Sequence, residues 1–153
     1  MTGPVVIGIG NAFRRDDGVG PAVAAQLVAR GVSAVACPAE PTAILDAWDG
    51  AALAVLVDAA GGGVPGRIRQ CTIDDLADSA PVSSHDLGLR QTYELGLILG
   101  RAPGSLVIVT IDIADTGHGV GLSPAVAAAL PGAVRLVEAI LGQQSDKSAD
   151  QTS

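Results

Sequence analysis

Pro4-Val-Val-Ile-Gly-Ile-Gly10, followed by Asn11, is the stretch on which the fold turns. Its β-branched residues run without polar alternation, so neither face is built to meet water, and the stretch reads as a strand buried on both sides. Such a strand belongs in the middle of a parallel sheet. After the loop Asn11 to Asp17, the residues Val19, Val23 and Leu27 recur every four positions and form the apolar stripe of a helix ending near Gly31. Asp17 is read as its N-cap, and Pro21 is tolerable where backbone amides lack intrahelical acceptors.

The alternation continues outward. Val32 to Cys37 reads as a second strand and Thr42 to Trp48 as a short helix capped by Thr42. Leu53 to Asp58 (LAVLVD) is the next clear buried strand, and Arg67 to Ile73 is a more exposed one. Leu89, Tyr93 and Leu97 mark a helix after His85, and Ser105 to Ile113 (SLVIVTIDI) is a further buried strand. Ser123-Pro124 is an N-cap followed by a first-turn proline. It opens a last helical stretch that Pro131-Gly132 is expected to kink or split. Strands alternating with helices predict an α/β fold, a three-layer sandwich with a mostly parallel twisted sheet flanked by helices on both faces. Residues 1–142 then form one domain. Residues 143–153 (QQSDKSADQTS) carry no apolar anchor and are expected to be a disordered polar tail.

Composition removes several functions. With 153 residues and 48% hydrophobic content the chain can build one sizeable core, but only 2% of residues are aromatic, so a stacking platform for nucleic-acid bases is not expected. The net charge of -7 opposes binding to polyanions. Met1-Thr2-Gly3-Pro4 has neither a basic flank nor a small-residue cleavage site, and no uncharged segment is long enough to span a bilayer. A cytoplasmic protein without membrane or nucleic-acid partners is expected, with a monomer as the default. Cys37 and Cys71 are too few and too isolated for a disulfide framework or zinc knuckle, and read as buried, reduced thiols.

Ligands of such folds gather outside the carboxyl ends of the strands, where this sequence concentrates Gly, Asp and His. Gly8-Ile9-Gly10-Asn11 resembles the start of a dinucleotide fingerprint, but Phe13 stands where the third glycine belongs and Asp16-Asp17 face the phosphates. A nucleotide-binding regulator is disfavoured accordingly. Asp16-Asp17-Gly18 offers two carboxylates where a helix needs one cap, leaving the other for a metal or for general-base work. Asp58 ends an apolar strand, where a buried carboxylate needs a partner. His85, at the start of its helix, lies near the positive end of the helix dipole, which favours the neutral, ligating imidazole. Two carboxylates and an imidazole suit a hard-to-borderline divalent ion. The bland alternatives are helix caps for the aspartates and a surface residue for the histidine. His118, among the glycines of Gly117 to Gly121, reads as a polar loop residue more readily than as an auxiliary ligand. Ser84 lacks the strand-to-helix elbow of a nucleophilic serine.

These residues, taken in order, resemble the hydrogenase maturation endopeptidases. The resemblance is carried by GIGNAFRRDDGVGPAV at Gly8 to Val23, LAVLVDA at Leu53 to Ala59, SSHDLGL at Ser83 to Leu89 and GHGVGLSPAV at Gly117 to Val126. It implies an aspartyl-type, metal-dependent endopeptidase that trims the C-terminus of a nickel-iron hydrogenase large-subunit precursor. It also implies Asp17, Asp58 and His85 as metal ligands and catalytic residues, with Asp16 as a candidate base. The metal would be nickel carried by the substrate, with zinc or cadmium as substitutes in vitro. Glu40-Pro41-Thr42 stands where the family often has Gly-Gly-Thr, and Asp17 is one methylene shorter than the Glu of many members. A non-catalytic nickel-handling or assembly module of the same fold is the alternative.

Overall fold

The computed structural model describes the backbone of residues 3–78 and 84–151 and the side chains of residues 3–75 and 88–143. Five strands, β1 (Val5–Ile9), β2 (Ala34–Cys37), β3 (Leu53–Ala60), β4 (Ile68–Cys71) and β5 (Ser105–Asp112), form one sheet in the order β2-β1-β3-β5-β4. The first four in that order run parallel, and β4 joins β5 antiparallel at the edge. The helices are α1 (Val19–Ala29), α2 (Pro41–Trp48), α3 (Ile73–Asp78), α4 (Ser84–Leu99) and α5 (Pro124–Gln151).

Strand parity divides the core in two. Val55, Val57, Val109 and Ile111 face α1 and α5, joined there by Val19, Val23 and Leu27 of the expected α1 stripe. Ile7, Ile9, Leu56 and Ile108 face the other way, against Ile44 and Trp48 of α2 and Leu89 of α4. The three-layer architecture expected from the alternation is therefore present. On α4 the buried face runs through Leu89, Thr92 and Gly96, whereas Leu97 is exposed. A strict repeat of four drifts away from the 3.6-residue turn and carries Leu97 off the stripe.

Two glycines set how close α1 lies to the sheet. A methyl group at Gly20 would fall on the carbonyl oxygen of Ile9 and within 2.6 Å of that of Val57, and one at Gly8 would strike the carbonyl of Gly20. The start of α1 is thereby seated across β1 and β3, which brings the preceding Asp16-Asp17 to the strand ends. Gly20→Ala must lever the helix off both strands. Overpacking of this kind costs about 1–3 kcal/mol, and at about 2–4 °C per kcal/mol for a chain of this size the melting temperature falls by several degrees. Circular dichroism melting checks this, and an unchanged midpoint would contradict so tight a contact.

Several local expectations change. The position before α1 is Gly18, without a side-chain cap, because Arg15–Gly18 forms a 3-10 turn that carries Asp17 away from that role. Likewise α2 starts at Pro41 after an extended Glu40, so Thr42 lies inside the helix and does not cap it. Pro131 sits within α5 without splitting it. Burial of Ala133, Val134, Val137 and Ile140 on the sheet side holds the helix together there. Gly132 lets it approach Ile68 of β4, whose Cδ1 would lie 3.2 Å from a methyl group added at position 132. The polar residues read as a disordered tail instead extend α5 to Gln151, since propagating an established helix costs far less than starting one. Pro124–Gln143 is long and apolar enough, at mean hydropathy 1.6, to cross a membrane by length and composition, and among described residues it is the sole such helix. Of that segment's apolar window 28% is buried in the fold, and its buried residues Ala133, Val134, Val137 and Ile140 pack into the core.

Candidate active site

The chain passes from β1 to β2 on one side and then to β3 on the other, so the strand order reverses at β1 and leaves a crevice at the carboxyl ends of β1 and β3. One part is a cavity of about 200 Å³ lined by Ile9, Ala39, Pro41, Asp58, Leu89 and Thr92. The adjoining part is a more open groove of about 500 Å³ lined by Asn11, Phe13, Asp17, Cys37, Ala39 and Glu40, among others. Ala39 belongs to both.

Asp58 lies on the face of β3 that looks toward α2 and α4, is 8% exposed, and accepts the Ala59 backbone N–H at 2.8 Å through Oδ1. The same cavity is lined from α4 by Gly88, Leu89 and Thr92. His85 precedes Gly88 by three and Leu89 by four residues on the same helix, the spacing that puts positions on one face. Its side chain, and the whole of Ser83, lie outside the described residues. Asp17 is half-buried, and its Oδ2 accepts the Asn11 N–H at 3.0 Å. Asp17 and Asp58 thus occupy neighbouring parts of one crevice. Among the described residues no group of three His, Cys, Asp or Glu side chains could hold a metal ion.

Asp16 is somewhere else. The candidate base is fully buried and accepts four hydrogen bonds. These come from the N–H groups of Ala114 (3.0 Å), Asp115 (2.9 Å) and Ser123 (2.6 Å) and from the Ser123 hydroxyl (2.8 Å). Burial pushes its pKa up, but the Ser123, Asp115 and Ala114 amides and the Ser123 hydroxyl together outweigh this and hold it below the ordinary carboxylate value. A carboxylate so fully engaged is a poor proton acceptor. Its work is to clasp three chain segments behind the crevice, and Ser123, expected as a helix cap, spends its hydroxyl on that clasp.

His118 is exposed in its glycine loop, in keeping with the loop reading. Cys37 is buried and Cys71 half-buried, and burial followed by nearby Glu40 raises the Cys37 pKa. Sequence reasoning passed over Asp112, which ends β5 as Asp58 ends β3. It is 1% exposed and pairs through Oδ2 with Arg69 at 3.0 Å, while its buried Oδ1 has no hydrogen-bond partner among the described residues. The argument that singled out Asp58, a carboxylate closing a buried strand, would have found it.

The fold is an α/β sheet with a crevice at its switch point, and the comparisons specify the family. Residues 40–140 match the hydrogenase maturation protease family, and the chain belongs to it. It is an endopeptidase, a hydrolase, of the hydrogenase maturation type. That match contains Asp58 and His85 and begins after Asp17. No curated protein sequence matches. Among solved structures the fold is similar to the hydrogenase maturating endopeptidase HybD from E. coli (TM-score 0.80, 20% identity, 94% of each chain covered). It is also similar to the [NiFe] hydrogenase maturation protease HybD from Thermococcus kodakarensis (TM-score 0.79, 21% identity, 92% of this chain and 99% of that one). HycI, a [NiFe] hydrogenase maturation protease from Thermococcus kodakarensis KOD1, is similar at TM-score 0.64 and 26% identity over 91% of this chain and 90% of that one.

Proposed function

We propose that this endopeptidase removes the C-terminal extension of a nickel-iron hydrogenase large-subunit precursor in the cytoplasm, and that the nickel it recognises arrives as part of the substrate. The observation that carries the reading is Asp58, a buried carboxylate closing β3 in the wall of a cavity that Gly88, Leu89 and Thr92 of α4 also line. Asp17, Asp58 and His85 are the ligand set for the substrate's nickel, a carboxylate and imidazole chemistry suited to a borderline divalent ion. Zinc or cadmium would occupy the same donors in vitro. By gripping the metal, these residues hold the adjacent peptide bond in the crevice, so that much of the catalytic gain comes from orientation.

Hydrolysis also requires a group to take a proton from the attacking water. With Asp16 locked in its clasp, that role falls to a carboxylate lining the crevice, Asp17 or Asp58, and not to Asp16 as the pairing of the two aspartates suggests. Incubation of the protein with a nickel-loaded large-subunit precursor, followed by intact-mass measurement, tests the reading. Release of a single C-terminal peptide is expected with the loaded precursor and not with the nickel-free one. Binding without release would make the protein a nickel-handling module instead.

A further inference from the structure

Phe13 is the only phenylalanine in the chain, and it is 72% exposed. Leaving so large an apolar side chain in water forgoes roughly 1.5–3 kcal/mol of burial, and among the described residues nothing covers it. The ring is nevertheless not on a loose loop. The Phe13 N–H donates to Asn11 Oδ1 at 2.9 Å, and its carbonyl accepts the Gly119 N–H at 2.9 Å. Next to it the Arg15 N–H donates to the Gly119 carbonyl at 3.0 Å, and Arg14 forms a parallel bridge with Gly119. An exposed aromatic on a backbone fixed from both sides is already ordered for binding, so little conformational entropy is lost when a partner covers it.

Its position says what that partner is. Phe13 borders the groove that contains Asp17, and through Ala39 that groove continues into the cavity of Asp58. The groove is also lined by Pro21, Cys37, Pro38 and Ala39, an apolar set beside the ring, with Asn11, Arg14, Asp17 and Glu40 as its polar residues. Its volume of about 500 Å³ falls within the usual range for ligand sites. A polypeptide whose reacting bond lies at Asp58 therefore has a continuous path past Ala39 to the Phe13 ring.

We infer that Phe13 is a specificity-determining residue of this site: it receives an apolar side chain of the precursor segment next to the scissile bond and fixes the register of that segment in the groove. The inference rests on the endopeptidase reading above for the identity of the substrate. Its test combines binding titration and steady-state cleavage, using a nickel-loaded large-subunit precursor with the full-length parent protein, Phe13→Ala and Phe13→Leu. Phe13→Ala should raise Kd and KM about tenfold, the scale of an anchor residue, with kcat within about twofold of the parent. Phe13→Leu should restore most of the loss, and all three proteins should melt at the same temperature. An unchanged Kd, a fall in kcat at constant KM, or a lowered melting temperature in Phe13→Ala would overturn the inference, as would a parent protein that does not bind the precursor. A parent that binds without cleaving would refute the endopeptidase reading, while the Kd comparison would still decide the role of Phe13.

Discussion

Asp17→Asn, Asp58→Asn and His85→Ala should each abolish cleavage of a nickel-loaded precursor while leaving the fold intact. Asp17 lies half-buried in the groove, where its Oδ2 accepts the Asn11 N–H, and Asp58 keeps its bond from Ala59 when one carboxylate oxygen is retained as the amide oxygen. Neither substitution changes volume, so the expected loss is chemical. Changes one layer away from a metal commonly cost about 10–100-fold in affinity or activity, and loss of a direct ligand should cost at least about 100-fold. Intact-mass time courses and melting curves on the same preparations check both halves of the prediction. Near-parent cleavage by all three variants would show that these residues are not the ligand set.

The other large effect should fall on stability. Asp16→Ala leaves the amides of Ala114, Asp115 and Ser123 and the Ser123 hydroxyl without their common acceptor. An unsatisfied donor costs about 1–3 kcal/mol, and because Ala114 and Asp115 are on exposed loop positions where water replaces part of the loss, the total should be about 3–5 kcal/mol. A drop in melting temperature on the order of 10 °C follows for a chain of this size. The effect should depend on pH with a definite sign. The folded-state pKa of Asp16 is depressed, so between that value and the unfolded value near ~3.9 the unfolded chain binds more protons, and stability rises with pH there. The contribution of Asp16 is fully present above about pH 4 and is lost as pH falls through the folded pKa. The melting-temperature gap between the parent and Asp16→Ala should therefore be full near neutrality and narrow under acid. A gap that widened on acidification would contradict the clasp.

These two aspartates also mark how far the sequence alone could be read. Local periodicity was enough for the strands and for the Val19, Val23 and Leu27 face, because burial patterns repeat within a single element. It was enough for Asp17 and Asp58 as crevice residues, since strand ends and topology decide that position. It could not distinguish Asp16 from Asp17. Their difference is made by the amides of residues 114, 115 and 123, about a hundred positions away in the chain. The same limitation explains α5, where Pro131 and the polar residues beyond Gly142 predict an interruption and an end, but contacts with the sheet carry the helix through the first. Asp112 was legible in principle, by the same reasoning as Asp58. Its link to Arg69 was not, because it depends on β4 turning antiparallel to β5 at the edge.

The Asp16 clasp has a consequence for how the crevice behaves in time. It ties the segment before α1, the residues after β5 and the start of α5 to one interior carboxylate, so none of them can open alone without exposing or stranding a buried charge. Loops at a binding edge usually belong to the least protected part of a protein and breathe independently of its core. Here they are joined to the globally cooperative unit, and their amides should exchange with solvent on the slow schedule of the sheet. That part of the edge would then meet a bound polypeptide as a fixed surface, and the conformational adjustment on docking would fall to the polypeptide.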